Sequence, residues 1–105
     1  MIFSKHIFLL SFTIYLVPNF NANSYFISTS SGDDNNSGLS SQFPINSINK
    51  LNTFTFQPGD SILFKAGDIW QGMFWLKGSG DPNNSIVVDS YGGAGKATIN
   101  GNGYQ

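Results

Sequence analysis

The chain has 105 residues, with six aspartates against five lysines, no arginine, no glutamate and no cysteine, for a formal net charge of −1. That balance leaves no basic patch for nucleic acid and excludes a disulfide scaffold. The length allows at most one domain, and the first stretch reads as separate from it.

Lys5 and His6 precede an uninterrupted apolar run from Ile7 to Val17. A bilayer span needs about 20 residues, so this run matches the apolar core of a secretory signal peptide, followed by Pro18 and small residues. Ala22 and Ser24 fit a cut before Tyr25, giving a signal peptide over 1–24 and a secreted or cell-surface chain over 25–105 with no membrane contact after cleavage. A cut after Ala22 and an uncleaved anchor are the alternatives. Once His6 is lost, the remaining chain has neither His nor Cys, which rules out a His-based triad and a typical zinc site.

"SYFIS" (24–28) reads as a short strand, and "TSSGDDNNSGLSSQ" as a polar loop. "FPINSINKLN" spaces Ile45, Ile48 and Leu51 for one helical face, with Ser47 as N-cap and Pro44 before it. "TFTF" (53–56) alternates, and "QPGD" (57–60) is a turn. Four strand-like runs follow: "SILFK" (61–65), "GMFWLK" (72–77), "SIVVDS" (85–90) and "ATIN" (97–100), separated by glycine-bearing spacers. Ile62 and Ile86 stand 24 apart, as do Phe64 and Val88, and Leu76 and Ile99 stand 23 apart. Such a period is the mark of a stacked solenoid. Alternation places Ile62, Phe64, Phe74, Leu76, Ile86 and Val88 inward, with Lys65, Trp75, Lys77 and Asp89 outside. A hairpin sheet is the alternative, although spacers of six to seven residues are long for tight hairpins.

The order of "YFISTSSGDDNNSG", "FPINSINKLN", "QPGDSILFKAGDIWQG" and "GSGDPNNSIVVDSYGGAGKATINGNG" resembles the N-terminal region of secreted right-handed parallel β-helix proteins. These are the pectate-lyase-like, or pectin-lyase-fold, superfamily. "PGDSILFKAG" and "SYGGAGKATING" are the most specific parts. The resemblance implies an all-β right-handed parallel β-helix, represented by its N-terminal cap and first coils and truncated within the "NGNG" turn at 100–103. It also implies a polysaccharide lyase or glycoside hydrolase as the full-length parent, acting on a polysaccharide substrate. Its catalytic coils would lie beyond Gln105, so this chain alone is expected to be inactive and no catalytic residue is assigned. In the lyases of that superfamily Ca²⁺ often assists, but no metal site is assignable here. A non-catalytic β-helix adhesin or stalk, and an inactive fragment, remain the alternatives.

Among individual residues, Asp33 and Asp34 with Asn35 and Asn36 offer hard oxygen ligands, but without the spacing of an EF-hand they read as a solvated loop. Asp60, Asp68 and Asp81 sit beside Gly or Pro and read as turn residues rather than a glycosidase pair. Asp89 projects outward from a strand. Trp75 is the single substrate-binding candidate, a flat apolar surface for a sugar ring on the face of Lys77. The alternative is an indole covered by the capping segment.

Overall fold

The structure is a computed structural model that describes residues 21–101. The expected signal segment up to Phe20, His6 and the last residues of the "NGNG" turn lie outside the described residues. The elements in order are β1 (Ser24–Ile27), a one-turn helix α1 (Ile48–Leu51), β2 (Ser61–Lys65), β3 (Ile69–Gln71), β4 (Val87–Tyr91) and β5 (Thr98–Asn100). The regular elements are therefore five strands and one turn of helix, an all-β arrangement.

Every ladder between named strands is parallel. The strand order is β1-β2-β4 in one sheet and β3-β5 in a second. Parallel strands cannot be joined by a tight hairpin, so each pairing needs a crossover. This removes the hairpin-sheet alternative.

The pairing offsets correct the expected coil of about 24 residues. Ser24 stands opposite Ser61, 37 residues on. Ser61 stands opposite Val87, 26 residues on. Ile69 stands opposite Thr98, 29 residues on. Ile62 thus partners Val88 rather than Ile86, and Phe64 partners Ser90. A shift of two residues keeps every side chain on its own face, so the apolar pattern alone cannot tell these registers apart. Ile99 partners Trp70 rather than Leu76.

"GMFWLK" is a second correction. The strand falls earlier, at Ile69–Gln71, inside the expected spacer. Gly72, at φ 121°, ends it in a conformation that L side chains rarely adopt. Residues 73–77 then run beside 52–56 with few ladder bonds. Phe56 N–H donates to Lys77 O at 2.8 Å, and Phe56 bridges Gly78 in parallel. The Asn52 side chain supplies the missing rung. Its Nδ2 donates to Met73 O and its Oδ1 accepts from Trp75 N–H, both at 2.8 Å. The carboxamide thereby stands opposite Phe74 as a backbone amide would in a parallel ladder.

The helix is shorter than its apolar spacing predicts. Ser47 is its N-cap, extended at φ −112° and ψ 155°, with Oγ accepting from Lys50 N–H. Ile45 lies outside the helix and bridges Ile27 in parallel. Its N–H donates to Phe26 O, its carbonyl accepts from Ser28 N–H, and Phe26 N–H donates to Gly38 O. The loop from Gly38 to Ile45 therefore closes the outer edge of β1, as the edge of a parallel sheet requires. At the other end, β4 is the edge strand and is exposed along most of its length.

The core gathers on the closed side. Ile27, Ile45, Ile48, Leu51, Phe56, Ile62, Phe64 and Trp70 are buried. Trp70 falls in the expected spacer between "SILFK" and "GMFWLK", yet it is 2% exposed and packs edge-on against Phe64 at 5.0 Å between ring centroids. Its Nε1 donates to Asn46 O at 3.0 Å, so the buried indole keeps its polar partner. Ile62 and Phe64 are buried as alternation predicts. The expected inward residues Leu76 and Val88 are 42% and 51% exposed. Val88 shares a face with Ile62, but no described residue stacks over it. Parity sets which way a side chain points, whereas a further layer is needed to bury it.

Candidate functional site

The carboxylates come first, because glycan chemistry of the expected kinds relies on such groups. Asp60 is buried and closes the "QPGD" turn. Its carboxylate accepts from Gln57 N–H at 2.8 Å and from Asn23 N–H at 2.9 Å. Its own N–H donates to Gln57 O, with Gly59 at φ 87°, the geometry that asks for glycine at the third turn position. Asp81 accepts from Asn83 N–H and Asn84 Nδ2 within its own turn. Asp33 accepts from Asn35 N–H. Asp89 is exposed and accepts from Ser90 N–H.

Asp60 thereby reaches 37 residues back to Asn23, and two further carboxylates reach beyond their own turns through larger sets of bonds. Asp34 Oδ1 accepts from the N–H groups of Asn46 and Ser47, and Oδ2 accepts from Ser47 Oγ at 2.6 Å. Asp68 Oδ2 accepts from Ser28 Oγ at 2.8 Å, Thr29 N–H at 2.9 Å, Ser30 N–H at 3.2 Å and Ser30 Oγ at 3.0 Å. Desolvation pushes each acid up, but the bonds outweigh it. Ser47 and Asn46, with the charge of Lys50, hold Asp34 below its ordinary range. Ser28, Ser30 and Thr29 do the same for Asp68. Tyr91 shifts the other way, raised by burial and then by the negative charge of Asp68. Sequence reading placed Asp68 in a local turn. Its partners lie 38 to 40 residues away, and no local signal announces them.

Acid–base glycoside hydrolysis needs two carboxyl groups facing one bond. Asp34, Asp60, Asp68 and Asp81 instead spend their oxygens on protein donors. Among the described residues, no group of three or more His, Cys, Asp or Glu could hold a metal ion. No buried side-chain nitrogen or oxygen among them lacks a partner either. The polar interior is self-satisfied.

Three of the exposed apolar residues bear on the expected faces. Val88 and Ile99 share faces with the buried Ile62 and Trp70 but lie at the open side. With Phe64, Ala97, Asp89 and Lys96 they line a recess of about 370 Å³ at the end of the ladders. Trp75 is different: it is 62% exposed and adjoins Phe74, whose ring turns toward the buried Phe64. The structure thus leaves the predicted sugar-stacking candidate uncovered by the capping segment.

No family model matches the chain. The lacto-N-biosidase of Bifidobacterium longum subsp. longum is 34% identical in an 85-residue alignment that covers 75% of this chain and 5% of that protein. The crystal structure of GH136 lacto-N-biosidase from Eubacterium ramulus superposes with a TM-score of 0.65 at 29% identity. Its selenomethionine derivative superposes with a TM-score of 0.63 at 30% identity. Both alignments cover 69% of this chain and 12% of the solved chain. The chain is therefore similar to a small part of much longer glycoside hydrolases.

Proposed function

We propose that this chain is the N-terminal cap and first rungs of a right-handed parallel β-helix, belonging to an exported glycoside hydrolase that acts on lacto-N-biosides. The observation that carries this reading is the pair of stacked parallel ladders, closed at β1 and open at β4, in a segment similar to lacto-N-biosidases. Crossovers between parallel strands in one sheet are right-handed in about 98% of cases, which supplies the hand. Export is supported by the apolar run from Ile7 to Val17 with Lys5 ahead of it. Of the two chemistries expected from the sequence, the relatives favour hydrolysis over elimination.

In this reading the segment contributes architecture rather than chemistry. Its interior carboxylates hold turns and tie segments together, and the exposed end offers strand edges and apolar side chains to a following rung. The test is to express a longer reading frame containing this segment, alongside the 105-residue chain, and assay both on a chromogenic lacto-N-bioside. Release of chromophore by the longer protein and none by the short chain is the expected result. A longer protein without turnover, or turnover by the short chain alone, overturns the proposal.

A further inference from the structure

We infer that Trp75 is a preformed stacking platform for a neutral pyranoside, a glycan-binding subsite outside the catalytic centre. This rests on the glycan-active reading above, but its evidence is local.

Direction comes first. Phe74 turns inward, its ring 5.9 Å from that of the buried Phe64. Alternation then points Trp75 and Lys77 outward. A further rung added at the open end would cover inward-facing residues such as Val88 and Ile99, but it would leave an outward indole bare. The exposure of Trp75 is thus independent of how many rungs follow.

Rigidity comes second. The Asn52 carboxamide holds the backbone on both sides of Phe74, at Met73 O and at Trp75 N–H. Two residues on, Lys77 O accepts from Phe56 N–H. The backbone beneath the indole is therefore braced rather than a free loop, which limits the ordering cost of binding to the rotamers of the side chain.

The neighbours come third. The Phe56–Gly78 bridge sets an offset of 22 between the two segments. At that offset Thr53 lies beside Trp75 and Thr55 beside Lys77, and all four residues are exposed. The Thr53 hydroxyl donates to Lys50 O at 2.7 Å and keeps only acceptor capacity; a flat apolar surface flanked by that acceptor, the Thr55 hydroxyl and an ammonium matches a sugar ring, which has an apolar C–H face and a polar rim. One ammonium on a chain of net charge −1 does not favour polyanionic glycans.

The test uses the full chain and the contrast between its two tryptophans, since Trp70 is 2% exposed and Trp75 62%. Acrylamide quenching is measured against lactose, N,N′-diacetylchitobiose and polygalacturonate. A single stacking face predicts weak affinity, on the order of millimolar. The expected result is that a neutral probe shields the exposed indole. Both variants lack the exposed indole, so their binding is followed by saturation-transfer difference NMR of the same sugars: Trp75→Phe should retain binding within about threefold, and Trp75→Ala should weaken it by roughly three- to tenfold. Trp70 emission and the circular dichroism should stay unchanged in both variants. Absence of shielding by either neutral probe, undiminished binding by Trp75→Ala in the NMR titration, or stronger shielding by polygalacturonate overturns the inference. Sugar binding by this chain while the longer protein turns over no lacto-N-bioside would sink the proposed enzyme and leave the platform standing.

Discussion

Replacing Asp68 by Asn keeps the shape of the side chain and removes its charge. In the folded chain one oxygen, Oδ2, accepts four hydrogen bonds from residues 28–30. Ser28 is fully buried, and its Oγ also accepts from Ser31 N–H and Ser31 Oγ. Bonds to an ionised acceptor contribute about 1.5–3 kcal/mol each when isolated. Four donors sharing one partly solvated oxygen are worth far less than four such bonds, because they compete and solvent screens them. Asn retains one weaker acceptor, so a net loss of about 2 kcal/mol is expected. For a domain of this size that lowers Tm by about 8–16 °C.

The loss should also depend on pH, in a fixed direction. The folded Asp68 carboxyl lies below its ordinary value of 3.8. Its contribution is therefore present above that value and fades as pH falls through the lower folded pKa. The difference between parent and Asp68→Asn should be full near neutrality and close in acid. Asp34 shifts in the same direction in both proteins and cancels from the difference. Urea unfolding followed by Trp70 emission at neutral and acid pH measures it. A neutral-pH difference under about 0.3 kcal/mol, or one that stays constant into acid, would refute the reasoning.

Three further outcomes follow from the same packing. Ser47→Ala removes the N-cap of α1 and the Oγ donor to Asp34, so it should cost about 0.5–2 kcal/mol in the same urea assay; an unchanged midpoint would show that α1 needs no cap. Gly32→Ala would drive a Cβ into the backbone oxygens of Ser28 and Ile45. With no flexible side-chain end to yield, it should destabilise by about 1–3 kcal/mol, more than an alanine at Gly67, where nothing lies within 4 Å, though Gly67 sits at φ 88° and carries its own backbone strain. Val88→Lys places a charge on the open strand edge and should reduce self-association measured by light scattering, with little change in unfolding; equal scattering would place the sticky surface elsewhere.

"SYFIS", "SILFK" and the Pro58–Gly59 turn were legible in the sequence because strand composition and turn stereochemistry act over a few residues. Ser47 was recognisable as a cap for the same reason. Trp70 was missed because a three-residue strand flanked by Gly67 and Gly72 is too short to show a period. Asn52 was missed because a carboxamide standing in for a ladder rung depends on a segment some twenty residues later.

Taken alone, the amino-acid sequence determined the strand-rich character, the turns, the facing of alternate residues and a composition without cysteine and without histidine after His6. These properties depend on covalent geometry and composition. The tertiary structure decided the register, the closure of β1 by the Gly38–Ile45 loop, and the roles of Asp34 and Asp68 as long-range ties. It also decided which apolar side chains are buried. The physical reason is that pairing by two residues more or less leaves each face unchanged. Only the backbone hydrogen bonds between distant segments distinguish one register from the next.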